Sequence, residues 1–141
     1  MKQTKSKKRV KDFGEVFTAE REVKAMCDMI PSDVWDDIES TFLEPACGNG
    51  NFLAEILERK LSKCEDVQQG LKALGSIYAI DIQADNVEES KQRMFDMFIR
   101  KFPKSSAITG IIAARILENN IICGNSLKIM EDMQKGKRND R

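Results

Sequence analysis

Thr41-Phe42-Leu43-Glu44-Pro45-Ala46-Cys47-Gly48-Asn49-Gly50-Asn51-Phe52-Leu53 is the stretch that decides the fold. Thr41 to Leu43 reads as a short strand. Phe52 to Leu61 reads as a helix, with Phe52, Leu53, Ile56 and Leu57 at helical spacing on its inward side. Between them lie two glycines, Gly48 and Gly50. A strand that turns over glycines into a helix is the geometry that grips a nucleotide-like ligand. The glycines let backbone approach the ligand closely, and the helix start offers N–H groups without intrahelical partners.

Working outward, the segments on either side keep the same alternation. Upstream, Thr18 is expected to cap a helix from Ala19 to about Met29, with Val23, Met26 and Ile30 on one face. Ser32 to Glu39 reads as a short acidic helix carrying Trp35, the single tryptophan. Downstream, a helix from about Glu65 to Leu74 is stopped by Gly75. Ser76 to Ile82 is a second strand, so apolar that both of its faces are expected to be covered. Asp85 is expected to cap a long helix ending at Phe102, with Val87, Met94, Phe95, Phe98 and Phe102 as its buried stripe and Pro103 behind it. Ser105 or Ser106 opens a further helix, with Ile108, Ile111, Ile112 and Ile116 along one side. Ile121-Ile122-Cys123 is a third strand, and Leu127 to Met133 a short helix. Strands alternating with helices imply a parallel sheet with right-handed crossovers. The expected class is α/β, Rossmann-like. Its expected division is a basic disordered tail (1–12), a ligand-binding domain (13–133) and a polar tail (134–141).

Composition narrows the chemistry. A chain of 141 residues with 41% hydrophobic content can build one domain with a packed core. Its 23 basic and 23 acidic residues cancel, so overall charge gives no case for nucleic-acid binding. The basic residues do gather at the start, in Lys2, Lys5, Lys7, Lys8, Arg9 and Lys11, as a solvated tail or an arm for phosphates. There is no histidine, and the four cysteines form no CxxC pair. Common zinc patterns and Ser-His-Asp or Cys-His machinery are therefore excluded. Isolated cysteines read as reduced, which places the chain in the cytoplasm. No apolar run approaches transmembrane length, and no membrane role is expected.

Gly48 and Gly50 match the first two positions of a dinucleotide fingerprint, but Leu53 stands where the third glycine belongs. On its own this G-x-G is equally a turn for packing. Asp81 strengthens the ligand reading, because an acid closing the second strand can accept from both hydroxyls of a ribose. Together they point to an adenosine-bearing ligand.

At this point the residues resemble a family. Glu44-Pro45-Ala46-Cys47-Gly48-Asn49-Gly50-Asn51-Phe52-Leu53 is similar to motif I of the N6-adenine-specific DNA methyltransferases of restriction–modification systems. Gly14-Glu15-Val16-Phe17-Thr18 resembles their upstream methionine-binding motif, with Ala19 where proline usually follows. Tyr78-Ala79-Ile80-Asp81-Ile82 resembles motif II, and Cys123-Gly124-Asn125-Ser126-Leu127 motif III. The resemblance runs from about Phe13 to Leu127. It implies a class I methyltransferase fold, cut after the third parallel strand, and S-adenosylmethionine as cofactor. It implies that Thr18 and the backbone from Ala46 through Cys47 and Gly48 to Gly50 hold the methionine end. Glu44 would lie near the amino or sulfonium group, and Asp81 would take the ribose. Ile82 would pack on the adenine face, and Asn125 and Ser126 would meet its edge. The family usually carries aspartate where Asn125 stands. Asparagine accepts without charge assistance, which predicts weaker cofactor affinity.

The family catalyses methyl transfer with an Asn/Asp-Pro-Pro-aromatic tetrapeptide that positions a flipped base. This chain has only Pro31, Pro45 and Pro103, none adjacent. The resemblance therefore implies a cofactor-binding portion that is inactive alone and meets DNA through regions outside this chain. Its expected partner is the remainder of such an enzyme or a second copy. Three alternatives stay open: methylation of amino or amide groups on protein or RNA, a dehydrogenase-type dinucleotide domain, and a non-catalytic cofactor-binding or partner module.

Overall fold

The computed structural model describes residues 4–13 and 17–139. Three parallel strands form one sheet in the order β1-β2-β3. They are β1 (Phe42–Glu44), β2 (Ile77–Asp81) and β3 (Ile121–Cys123), interleaved with helices. Before β1 come α1 (Lys7–Phe13), α2 (Glu20–Asp28) and α3 (Ser32–Asp36); α4 (Asn51–Leu61) and α5 (Val67–Gly75) join β1 to β2. The second crossover is α6 (Ala84–Lys101) and α7 (Ala107–Asn120), and α8 (Ser126–Asn139) follows β3. The molecule is an α/β fold with helices flanking a parallel sheet, Rossmann-like in general shape.

Local chemistry sets the helix limits. Asp66 caps α5 by accepting from the Gln69 N–H, and Ser106 caps α7 by accepting from the Thr109 N–H. Two expected caps are corrected. The N-cap of α2 is Ala19, without a side-chain bond, because Thr18 sits one residue too early. α6 begins after Gln83, which puts Asp85 inside its first turn. An acid there still favours the helix through its dipole. The amino-terminal segment also differs from the expected unstructured tail. Lys7–Phe13 is helical, and Lys5 and Arg9 anchor it to Asp85 at 3.0 and 2.6 Å. The opposite end is helical to Asn139. Met1–Gln3, Gly14–Val16 and the last two positions lie outside the described residues.

The core fills the space between the sheet and one helical layer. Ile77, Ala79 and Ile121 pack there against Leu53, Leu57, Leu74, Met94, Phe98 and Leu117, all 2% exposed or less. Lys60 is fully buried in this layer. Its Nζ donates to the carbonyls of Ile38 (2.8 Å) and Ser40 (2.6 Å) and lies 5.0 Å from the centre of the Phe42 ring. It thereby ties the end of α4 to the loop that enters β1. Burial lowers its pKa to about 8, with Asp37 opposing. The unfolded chain then binds more protons than the folded one between about pH 8 and 10.5. Stability should rise with pH across that window. Wild-type protein is expected to gain about 1–3 kcal/mol relative to Lys60→Met between those limits, read from urea denaturation. A constant difference would show that Lys60 titrates in the folded state as it does in the unfolded chain.

Side chains along the strands divide between two faces. Leu43 pairs with Tyr78, and Ile80 with Ile122, on the face away from the core. Leu43, Tyr78 and Ile122 are exposed there, at 59%, 41% and 38%. The expectation that β2 is covered on both faces holds at Ile80, 7% exposed on this face, and fails at Tyr78. Both crossovers advance in one direction along the sheet, so right-handed connections lay their helices on a single face. The α7 stripe is corrected as well. Ile108, Ile111 and Ile112 are exposed, while Ile116 packs against the core beside Ala113 and Leu117.

Candidate functional site

The turn after β1 is built on two left-handed glycines, Gly48 at φ +53° and Gly50 at φ +91°. Neither position has room for a side chain. A Cβ on Gly48 would sit 2.9 Å from the Phe17 ring, and one on Gly50 would sit 3.0 Å from Ser90 Oγ. Ser90, on α6, also donates to the Gly48 carbonyl at 3.2 Å. Gly50 is the N-cap of α4 and supplies no side-chain cap. The first N–H groups of α4 are thus available to an anion.

Asp81, at the carboxyl end of β2, is 8% exposed and fastens the turn from behind. Its Oδ2 accepts from the Gly48 N–H at 2.9 Å. Its Oδ1 accepts from the Gln83 N–H (2.8 Å) and from Asn86 Nδ2 (3.2 Å). A carboxylate has about four acceptor positions, so one remains beyond these three. The Asp81 carbonyl accepts from the Gly124 N–H at 2.9 Å, which brings the third turn beside the first two.

Thr18, Glu44, Ala46, Cys47 and Gly48 come together around one cleft of about 130 Å³, with Phe17 and Asn51 completing its wall. The Thr18 segment is held by Asn51, whose Nδ2 donates to the Thr18 carbonyl at 2.7 Å. Arg93 in turn donates to Asn51 Oδ1 at 2.8 Å. Glu44 is half-buried and accepts from the Ala46 N–H at 3.2 Å. Burial raises its pKa, with that N–H opposing. Gly50, Asp81, Ile82, Asn125 and Ser126 do not line the cleft. Ile82 is 49% exposed beside it, and Asn125 caps α8 by accepting from the Lys128 N–H at 3.2 Å. Phe17, Asn51, Ser90 and Arg93 were not singled out as site residues in the sequence. Spacing gives no signal for Ser90 or Arg93, since only the packing of α6 on the turn selects them. Asn51 was legible as the residue following the second glycine.

A basic latch closes the amino-terminal side. Arg9 bonds both oxygens of Asp85, at 2.6 and 3.0 Å, and Lys5 reaches Asp85 and Glu89 at 3.0 and 2.9 Å. The Arg9 guanidinium, helped by Lys5, holds the Asp85 carboxyl well below the usual carboxylate range. Among the described residues no group of three or more His, Cys, Asp and Glu could hold a metal ion, and no helix is long and apolar enough to cross a membrane.

Three of the four cysteines are protected. Cys27, Cys47 and Cys64 are buried and Cys123 is exposed. Burial raises the first three thiols, Cys47 to about 12 against the opposing Ser90 hydrogen bond. A disulfide reagent at mildly alkaline pH is therefore expected to titrate Cys123 quickly and the others only after denaturation, because the thiolate is the nucleophile. Rapid labelling of Cys47 would instead show that the turn opens in the native state.

Comparison with protein families, curated proteins and solved structures finds no match to this chain.

Proposed function

We propose that this chain is the S-adenosylmethionine-binding portion of a DNA (adenine-N6) methyltransferase. The observation that carries this reading is the Gly48–Gly50 turn at the carboxyl end of β1, bonded to an acid that ends the adjacent parallel strand. Open α/β sheets take ligands at that end of their strands. The uncapped start of α4 suits the methionyl carboxylate, with Thr18 and the Ala46–Gly48 backbone around it. Glu44 sits where it would meet the positive amino or sulfonium group. The remaining acceptor position of Asp81 suits a ribose hydroxyl, and Ile82 offers an exposed apolar side chain to the adenine. Asn125 would meet the adenine edge, with Ser126 beside it, by releasing the α8 cap. The cleft of about 130 Å³ suits only the amino-acid end. Small-molecule sites usually enclose roughly 300–1,000 Å³, so the adenosine end would lie outside this cleft, towards Asp81 and Ile82.

Bound S-adenosylmethionine supplies an electrophilic methyl group; the residues of this chain bind and orient it. No Pro-Pro sequence is present to position an acceptor amine. The chain alone is therefore expected to bind the cofactor and its demethylated product in calorimetry, and to transfer no labelled methyl group to DNA. NAD binding without S-adenosylmethionine binding, or binding of neither, would reject the assignment. Asn125→Asp should tighten cofactor binding several-fold, to about tenfold, through charge assistance. Equal affinities would remove Asn125 from the adenine edge.

A second reading, a cofactor-binding module that completes a partner, is favoured by the bare sheet face and by the single pairing of β1. The partner would be the remainder of such a methyltransferase or a second copy of this chain.

A further inference from the structure

We propose that the groove between α4 and α6 is a second binding site, for a phosphorylated small molecule, separate from the glycine-turn cleft. The groove is open to solvent and offers about 500 Å³, within the range of small-ligand sites. Ala54, Leu61 and Met97 give it an apolar floor, and Arg93, Arg100 and Lys101 a cationic rim. Arg93 and Arg100 are seven residues apart on one helix, two turns or about 10 Å along its axis.

Several surface cations, Lys72, Lys104 and Arg115 among them, have no carboxylate partner among the described residues; Arg93, Arg100 and Lys101 are three such cations that line one groove. Lys5, Arg9, Arg59, Lys63 and Lys91 each have a carboxylate within salt-bridge reach. Among the described residues Arg93, Arg100 and Lys101 have none. Arg93 bonds the Asn51 amide, and Arg100 bonds the Asp96 carbonyl at 3.4 Å. Glu58 also lines the groove but pairs with none of them. Three positive charges then face one negative, across an open groove with an apolar base. A phosphate suits the guanidinium forks, and an organic body suits the floor. A nucleic-acid surface is less apt, because the chain has no net charge to draw a polyanion and the cations are confined to one bounded groove.

Arg93 also links the two sites. It holds Asn51, which holds the Thr18 segment over the cleft. Drawing Arg93 onto a phosphate frees Asn51 and slackens that segment. The existence of the groove site does not depend on the cofactor assigned to the cleft.

The test is an amide NMR titration of the chain with uridine monophosphate, inorganic phosphate and uridine, none of which carries adenine. Uridine monophosphate is expected to shift Ala54, Ser62, Met97 and Lys101 saturably, and Thr18 with them. Inorganic phosphate should bind the same place more weakly, and uridine not at all. Arg100→Gln/Lys101→Gln, two exposed positions, should weaken binding about tenfold or more with the fold retained by circular dichroism. Absence of saturable shifts in the wild-type chain, or shifts confined to residues 48–51, would overturn the proposal. So would unchanged binding by the double variant, or equal affinity for inorganic phosphate and uridine monophosphate.

Discussion

Asp81→Asn is expected to destabilise the protein by about 2–4 kcal/mol and to abolish ligand binding at the glycine turn. The carboxylate is nearly buried, and donors surround both of its oxygens. An asparagine there must turn its NH₂ toward one of them. Pointed at the Gly48 N–H, the amide repels the turn. Pointed at the Gln83 N–H, it repels the start of α6, and the Asn86 amide must rotate as well. Either way a buried donor faces a donor, and the lost bond is charge-assisted. Thermal unfolding should fall by roughly 6–15 °C, and the Gly48 amide should lose protection from hydrogen exchange. A residue that served only a ribose hydroxyl would weaken binding and leave stability unchanged. That outcome would reject the architectural role of Asp81 and keep its ligand role.

This double duty shows where sequence reading reached and where it stopped. The order of strands and helices was legible because each crossover carries its own periodicity and punctuation. Gly48 and Gly50 announced a turn, and the apolar run Ile77–Ile80 announced a strand. An acid at the end of that strand marked a site position from spacing alone. Spacing does not say that its oxygens are already bonded to the turn, since Gly48 and Asp81 meet only through the parallel register of β1 and β2. Ser90 and Arg93 were invisible for the same reason. They lie on a helix whose rotation about its axis is set by Val87, Met94 and Phe98 reaching the core.

The errors have physical causes too. The basic start, residues 1–12, reads as a tail because its charge repels itself, yet Lys7–Phe13 is helical and Arg9 and the neighbouring Lys5 find the carboxylates of Asp85 and Glu89 about eighty residues on. The α7 isoleucines read as one apolar side of the helix, yet of the four only Ile116 packs against the core. α7 is apolar on two sides, and its smaller side, Ala113 with Leu117, fits against the sheet and its neighbouring helices. Local pattern identifies an apolar face but does not choose between two of them.

The bare sheet face leads to the other large effect. At rising concentration the chain is expected to sediment as a dimer or larger, and Leu43→Lys/Ile122→Lys to sediment as a monomer. Parallel sheets are ordinarily covered on both faces, and an edge strand with free backbone groups recruits another chain. Here Leu43, Tyr78 and Ile122 are exposed around the buried Ile80 on one face, and β1, which carries Leu43, bonds only β2 among the described residues. The same strand thus offers both an apolar surface and a hydrogen-bonding edge. In a solution of the isolated chain, the available cover for both is another copy. Leu43 and Ile122 make no core contact in the monomer, so lysines there should change its stability by about 0.5 kcal/mol or less, while placing charge in any interface they form. Ile111→Lys, on the exposed side of α7, is the control. Should that change alone restore the monomer, association runs through α7 and the sheet face is not the contact. A wild-type chain that stays monomeric at every concentration would mean that its sheet face and open edge tolerate water unaided. The partner reading would then lose the observation that favours it.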